Sequence, residues 1–443
     1  MSLKELYNQK LCSADEAVKH VKSGDVVEYG AFNGKPILCD IALSKRGGEL
    51  KDIHIYAVVT LLPVPEVAKN PFVFTYHDWH FSKVSRVMKQ QYGIANYSPI
   101  TYHLAPSYYR DGFRGDRRSV TIFQVSPMDE YGYFNLGPNN SETLAKVEIS
   151  SAIILEVNPN MPVALGGSEN TIHISEVDAV VEATKEQLMA VVPPSVSSEV
   201  DMKIAEHVLP HIKDRYNVQL GIGGVPSAVG NLIAKSGLKD LGGHTEMLSD
   251  AYVEILKSGV MTGKYKEIDR RKLSYTFAMG TQKLYDFIDK NPALASQPVD
   301  YVNDPRVIAK LSNFISINNA LQVDLFSQIN AESLGSTQVS GNGGMWDFVT
   351  GSQWSKGGKS FICLNSTFTD KDGKMQSRIV SSFVDGTIVT IPRQMVDYVV
   401  TEYGAVRLKT LPAYKRAEAL ISIAHPDFRE ELTKKAKEMK LIR

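Results

Sequence analysis

One glutamate stands inside a strand-like run at Gly243-His244-Thr245-Glu246-Met247, immediately before Leu248, where the pattern calls for apolar side chains. A carboxylate there either ends a strand, free to face a ligand, or is held by a salt bridge or a helix cap. Shortly before it comes Gly221-Ile222-Gly223-Gly224-Val225-Pro226, a glycine turn between a strand and a helix. Such a turn aims backbone N–H groups at something negative, a phosphate or a developing oxyanion. The dinucleotide fingerprint fails, because Pro226 occupies the place of its third glycine, and a tight turn with no ligand is the plain alternative. Two more glycine clusters follow, Ser340-Gly341-Asn342-Gly343-Gly344 and Ser355-Lys356-Gly357-Gly358-Lys359-Ser360. Neither is a Walker loop. Exposed amides with lysines nearby can seat a phosphorylated handle, or the clusters are solvated hairpins. No G-x-S-x-G, H-E-x-x-H or C-x-x-C occurs, so serine-hydrolase, zinc-protease and dithiol chemistry lack their markers. His77 and His80 alone are a weak metal signal, and the aromatic run Phe72–Phe81 reads as a pocket wall or core. Carboxylate chemistry remains.

The elements that must carry these residues can be read from periodicity. Ser13-Ala14-Asp15-Glu16 has the form of a capping box, with Ala17, Val18 and Val21 as an apolar stripe and Gly24 as the stop. Val26–Tyr29 reads as a buried strand, Gly30–Pro36 as a turn into a helix, and Leu50–Val59 as the approach to the next parallel strand. The same grammar returns later. Asn217–Leu220 is the strand, and Val225, Ala228, Val229, Leu232 and Ile233 form one helix face, with Pro226 in the first turn and Gly237 at the end. Leu238–Glu246 echoes Leu50–Tyr56 at a shift of about 190 residues, a weak internal duplication. Val192-Pro193-Pro194-Ser195-Val196-Ser197-Ser198 breaks both periods. The expected organisation is a domain over 1–192, a linker over 193–198 and a domain over 199–443, giving two similar open α/β domains with mostly parallel sheets. Ligands in such sheets sit at the carboxyl ends of the strands, and a cleft between the domains is the default place for a site.

With 443 residues the chain can build two or three domains. Lysine plus arginine number 49 and aspartate plus glutamate 49, so no bulk positive field exists for nucleic acid or an anionic membrane, and an anionic ligand needs a local site. Cys12, Cys39 and Cys363 are widely spaced, which fits free thiols in a reducing compartment. The opening Met1-Ser2-Leu3-Lys4-Glu5 has no apolar leader pattern, and no run of ~18 apolar residues follows. A cytoplasmic protein without membrane segments is expected.

In this order, the glycine turn, His244-Thr245-Glu246-Met247, Tyr301-Val302-Asn303, Ser340–Gly344 and Ser355–Ser360, together with Ser126–Gly132 and Arg416–Arg429, resemble the class I coenzyme A transferases. The branch is that of the acetyl-CoA hydrolases and transferases, which includes 4-hydroxybutyrate and butyrate:acetate CoA-transferases. The resemblance implies two α/β domains and a nucleophilic glutamate at Glu246. It implies CoA contacts at Gly221, Ile222, Gly223, Gly224, Val225, Gly341, Gly343 and Gly344, with one lysine of the Lys356/Lys359 pair approaching CoA. The amides of Ile222 and Gly341 become an oxyanion hole, and Asn303 serves the oxyanion on the substrate side. No metal or permanent prosthetic group is implied; coenzyme A is a substrate that the enzyme carries covalently, and a homodimer or larger assembly is expected.

A glutamate suits that task on chemical grounds, because transfer between two acids lets an enzyme carboxylate stand in for one of them. With a reference pKa near ~4.3 it is expected to be ionised at neutral pH without a general base. The expected function is exchange of CoA between short-chain acids, acetate with butyrate or 4-hydroxybutyrate. An acyl-CoA hydrolase and a non-catalytic CoA-binding sensor are the alternatives.

Overall fold

The structure is a computed structural model that describes residues 1–112, 115–193 and 196–443. Its contacts fall into two compact units, Met1–Pro193 with Ser274–Val302, and Pro194–Leu273 with Asn303–Arg443. Of the expected linker, Pro194 and Ser195 lie outside the described residues.

The first unit is built on a sheet whose strands run, edge to edge, Ala95–Tyr97, Phe74–Asp78, Ile53–Ala57, Val26–Tyr29, Ser119–Val125, Ala152–Val157 and Ala179–Glu182. Every neighbouring pair is parallel. Val26–Tyr29 and Ser119–Val125 are buried at every position, as strands covered on both faces must be. Ile53–Ala57 instead alternates, with Ile53, Ile55 and Ala57 buried and His54 and Tyr56 partly exposed. The predicted helix after Ser13 is shorter than its pattern. The Ser13 hydroxyl accepts from the Glu16 amide, but the Glu16 carboxylate pairs with Lys19. The α-helix covers only Ala14–Ala17 before a 3-10 turn over Val18–His20.

By its contacts the segment Ser274–Val302, which the sequence reading places in the C-terminal domain, groups with the first unit. It rejoins the first unit through bridges between Asn139 and Phe277, Ala164 and Asp289, and Gly166 and Ser296. Phe277 stacks on Phe32 with ring centroids 3.7 Å apart. This contact buries aromatic surface that neither segment could bury alone.

In the second unit the parallel order is Gly242–Leu248, Asn217–Leu220, Phe314–Asn319, Lys359–Cys363 and Tyr398–Thr401, closed by the antiparallel edge Gly404–Arg407. Asn217–Leu220 lies between the strand that follows it and one reached by a long crossover, as Val26–Tyr29 does in the first unit. The predicted helix forms over Gly224–Lys235, burying Val225, Ala228, Val229 and Ile233. Gly237 follows it in the left-handed conformation (φ 71°). The α/β expectation with mostly parallel sheets is thus met in each unit.

Candidate active site

Glu246 sits near the carboxyl end of Gly242–Leu248. Because Asn217 pairs with Gly242 and the neighbouring strand stops at Leu220, Glu246 lies level with the glycine turn that begins at Gly221. The preceding hydroxyl, Thr245 Oγ1, donates to the Leu220 carbonyl at 3.4 Å, tying the two strand ends together. The other end of the strand is anchored by Lys266, whose buried ammonium donates to the carbonyls of Gly243 and Lys272 at 2.8 Å each. Desolvation lowers that ammonium to about 8. His244, fully buried, packs edge-on against Phe314.

Three groups surround the Glu246 carboxyl. Asn303 Nδ2 donates to Oε2 at 2.6 Å, and the backbone N–H of Gly344 donates to the same carboxyl. Asp347 Oδ2 lies 3.3 Å from the Asn303 nitrogen. Asn303 and Asp347 are buried, at 0% and 1% exposure. Gly344 precedes the helix Met345–Trp354, so the carboxyl faces a helix N-terminus, where the dipole favours negative charge. Burial nevertheless dominates. It raises the carboxyl to about 8, helped by the charge of Asp347 and opposed by the Asn303 and Gly344 hydrogen bonds. This corrects the expectation of an ordinary carboxylate: at pH 7 the protonated form predominates. Among the described residues no lysine or arginine pairs with Glu246.

A Cβ on Gly344 would lie 1.9 Å from Glu246 Oε2 and 2.2 Å from Asn303 Nδ2, so any side chain there displaces both groups. In the first glycine turn, the Gly221 amide is spent on the Ile317 carbonyl at 2.8 Å. The Ile222 carbonyl is held by Asn319 Nδ2 at 2.9 Å, while the Ile222 side chain is 49% exposed. Gly223 has φ 120°, and a side chain on it would collide with Asn319. Gly224 approaches Asp201 just as closely. The Val225 side chain points into the core, so only its backbone faces the turn. Gly341 is buried three residues before Gly344, and Gly343 has φ 48°. Among the described residues no backbone hydrogen bond occupies the amides of Ile222 or Gly341, which leaves both available as donors.

The structure brings Glu246, Asn303 and Gly344 together. It does not bring Lys356 or Lys359 to them. Lys359 begins its strand and pairs with Ile315, next to the residue opposite Asn217, and the Lys356 carbonyl accepts from the Asn313 amide just before Phe314. Both lysines therefore lie at the amino edge of the sheet, whereas Gly221 and Glu246 lie at its carboxyl edge. Neither lysine stands beside Glu246 or the Gly221–Gly224 turn. Asp347 was missed altogether; an acid in the first turn of a helix reads as a dipole partner.

Residues 1–193 match the family model described as the acetyl-CoA hydrolase/transferase N-terminal domain, and residues 280–436 match the corresponding C-terminal domain. The chain is 47% identical, over its full length and 99% of the relative, to a butyryl-CoA:acetate CoA-transferase of Anaerostipes caccae. It is 39% identical, over 98% of each chain, to a 4-hydroxybutyrate coenzyme A transferase of Clostridium kluyveri. Its fold is similar to the crystal structure of RipA from Yersinia pestis, with TM-score 0.91 and 35% identity over the whole of both chains.

Proposed function

Because this chain belongs to the acetyl-CoA hydrolase/transferase family, we propose that it moves coenzyme A between short-chain carboxylic acids, acetate with butyrate or 4-hydroxybutyrate, through Glu246. The observation that carries the proposal is the Glu246 carboxyl, which pairs with no cation among the described residues and is held by the Asn303 amide and the Gly344 N–H. The ionised carboxylate attacks the carbonyl of an acyl-CoA, and the C–S bond breaks to give an acyl-glutamyl anhydride and the CoA thiolate. The thiolate then attacks the glutamyl carbonyl, releasing the first acid and leaving a glutamyl-CoA thioester. The acceptor carboxylate attacks that thioester and reforms an anhydride. The returning thiolate attacks its acyl carbonyl, leaving as the new acyl-CoA and freeing Glu246.

Each step passes through a tetrahedral oxyanion. Asn303 Nδ2 and the Gly344 amide are placed for oxyanions on the glutamyl carbon, and the amides of Ile222 and Gly341 complete the set of donors. Each such donor is worth about 2.7–4 kcal/mol of barrier. The raised carboxyl serves the chemistry, because a carboxylate that the protein stabilises less is the stronger nucleophile once it forms. The enzyme works as a soluble cytoplasmic protein without a resident cofactor, and as a homodimer or larger assembly. No described helix is long and apolar enough to cross a membrane.

The test follows acyl-CoA with and without acceptor acid. Product acyl-CoA should form with ping-pong kinetics and little free thiol, and kcat/KM should rise with pH through about 8 as Glu246 ionises. Rapid thiol release independent of added acetate would make the protein a hydrolase instead. Because both lysines lie at the amino edge of the sheet, away from Glu246, Lys356→Ala and Lys359→Ala should each leave KM for acyl-CoA within about twofold. A tenfold rise would return a lysine to the CoA site.

A further inference from the structure

Asn303 presents a conflict at the centre of the site. Its side chain is fully buried, and its Oδ1 has no hydrogen-bond partner, whereas Nδ2 is directed at two carboxyl groups, Glu246 Oε2 at 2.6 Å and Asp347 Oδ2 at 3.3 Å. A buried amide oxygen without a donor costs free energy, so something must hold the amide against rotation by half a turn. Glu246 cannot do so throughout the cycle. When protonated, its hydroxyl can donate to Oδ1 and would accept the rotated amide equally well. When acylated or bound to CoA, it presents no charge.

We propose that Asp347 is a positioning residue of the transfer reaction: by accepting the second N–H of the Asn303 amide, it keeps the donor end of Asn303, and not the carbonyl, against Glu246 in every covalent state. This rests on the reading of Glu246 as the nucleophile. Asp347 is suited to the role because it is itself buried, in the first turn of the helix whose leading Gly344 amide holds Glu246. One short helix end thus fixes both donors that face the glutamyl carbon. Rotation of Asn303 would set its carbonyl oxygen against the Asp347 carboxylate and against any oxyanion on Glu246, and like-signed groups at that distance repel strongly in a buried site. The Asp347 charge also helps to keep the Glu246 carboxyl raised.

Asp347→Asn preserves size but offers both donor and acceptor, so it releases the amide. Measured by steady-state transfer, it should lower kcat about 10- to 100-fold, the range for misorienting one donor, with KM for acyl-CoA within about twofold. The acid limb of the pH–rate profile should move to lower pH, because a negative neighbour of Glu246 is gone. In an Asn303→Ala background, the same change should produce no further fall in kcat, since the group it orients is absent. If Asp347→Asn does not fold, Asp347→Ser is read in the same cycle. Wild-type kcat in the folded variant, or an equal fall with and without Asn303, would leave Asp347 a structural residue only. A wild-type enzyme that carries no CoA on Glu246 would instead overturn the underlying reading.

Discussion

Glu246→Gln should abolish CoA transfer, by about 10⁴-fold or more, while making the folded protein more stable. Loss of activity follows because an amide nitrogen or oxygen cannot form the anhydride, and removal of a covalent nucleophile typically costs that much or more. Stability rises because Gln keeps an acceptor for Asn303 and Gly344 without burying a charge. The pH dependence fixes the sign. The carboxyl titrates at about 8 in the folded state against 4.5 as an ordinary side chain. Below about pH 4.5 both states hold the proton, and the glutamate carries no penalty. Between 4.5 and 8 the unfolded chain gives up its proton while the fold retains it, so the wild type loses stability progressively, and above 8 the loss levels off. A rise from 4.5 to about 8 sets a ceiling of about 5 kcal/mol, and the partial exposure of Glu246 keeps the actual loss below it. Thermal melts at pH 5 and pH 8.5 should show the advantage of the variant widening with pH. An advantage that does not change with pH would mean that the carboxyl is not buried as described.

The second large effect is expected from a single methyl group. Gly344 has φ −93°, a conformation open to any residue, so Gly344→Ala adds no backbone strain. Its Cβ nevertheless falls 1.9 Å from Glu246 Oε2 and 2.2 Å from Asn303 Nδ2. The carboxyl and the amide must both move, and at least one donor to the glutamyl carbon is lost. A fall in kcat/KM of about 10²–10³ follows, against a stability loss of about 1–3 kcal/mol for overpacking. Gly237→Ala is the matched control. Gly237 has φ 71° and nothing within 4 Å of its Cβ, so alanine there strains the backbone and costs stability by about 1 kcal/mol while leaving turnover unchanged. Near wild-type turnover in Gly344→Ala, measured alongside that control, would contradict the placement of Gly344 against the nucleophile.

What the sequence reveals and conceals follows from the range of each interaction. The helix Gly224–Lys235 is local, so the spacing of Val225, Ala228, Val229 and Ile233 is enough to find it. Glu246 stands out because it is polar in an apolar strand, again a local signal. The destination of Ser274–Val302 is not local: a buried strand pattern is the same whichever unit receives it. Asn303 meets Glu246 across 57 residues of sequence and Asp347 across 44, and nothing near it marks either contact. Asn303 was found only through family resemblance. The lysines illustrate a distinction that is legible in the order of turn and strand. Gly357-Gly358 precedes its strand, whereas Gly221–Gly224 follows one, and in a parallel sheet those turns lie at opposite edges. The raised carboxyl could not be read from residue type, because its main cause is the protein packed around it.

The most direct measurement is covalent. The protein is mixed with acyl-CoA alone, without acceptor acid, trapped with borohydride or hydroxylamine, and digested for peptide mass mapping. Modification confined to Glu246, and absent from Glu246→Ala, is the predicted result. Modification at another residue, or an unmodified wild type together with full turnover by Glu246→Ala, would contradict it.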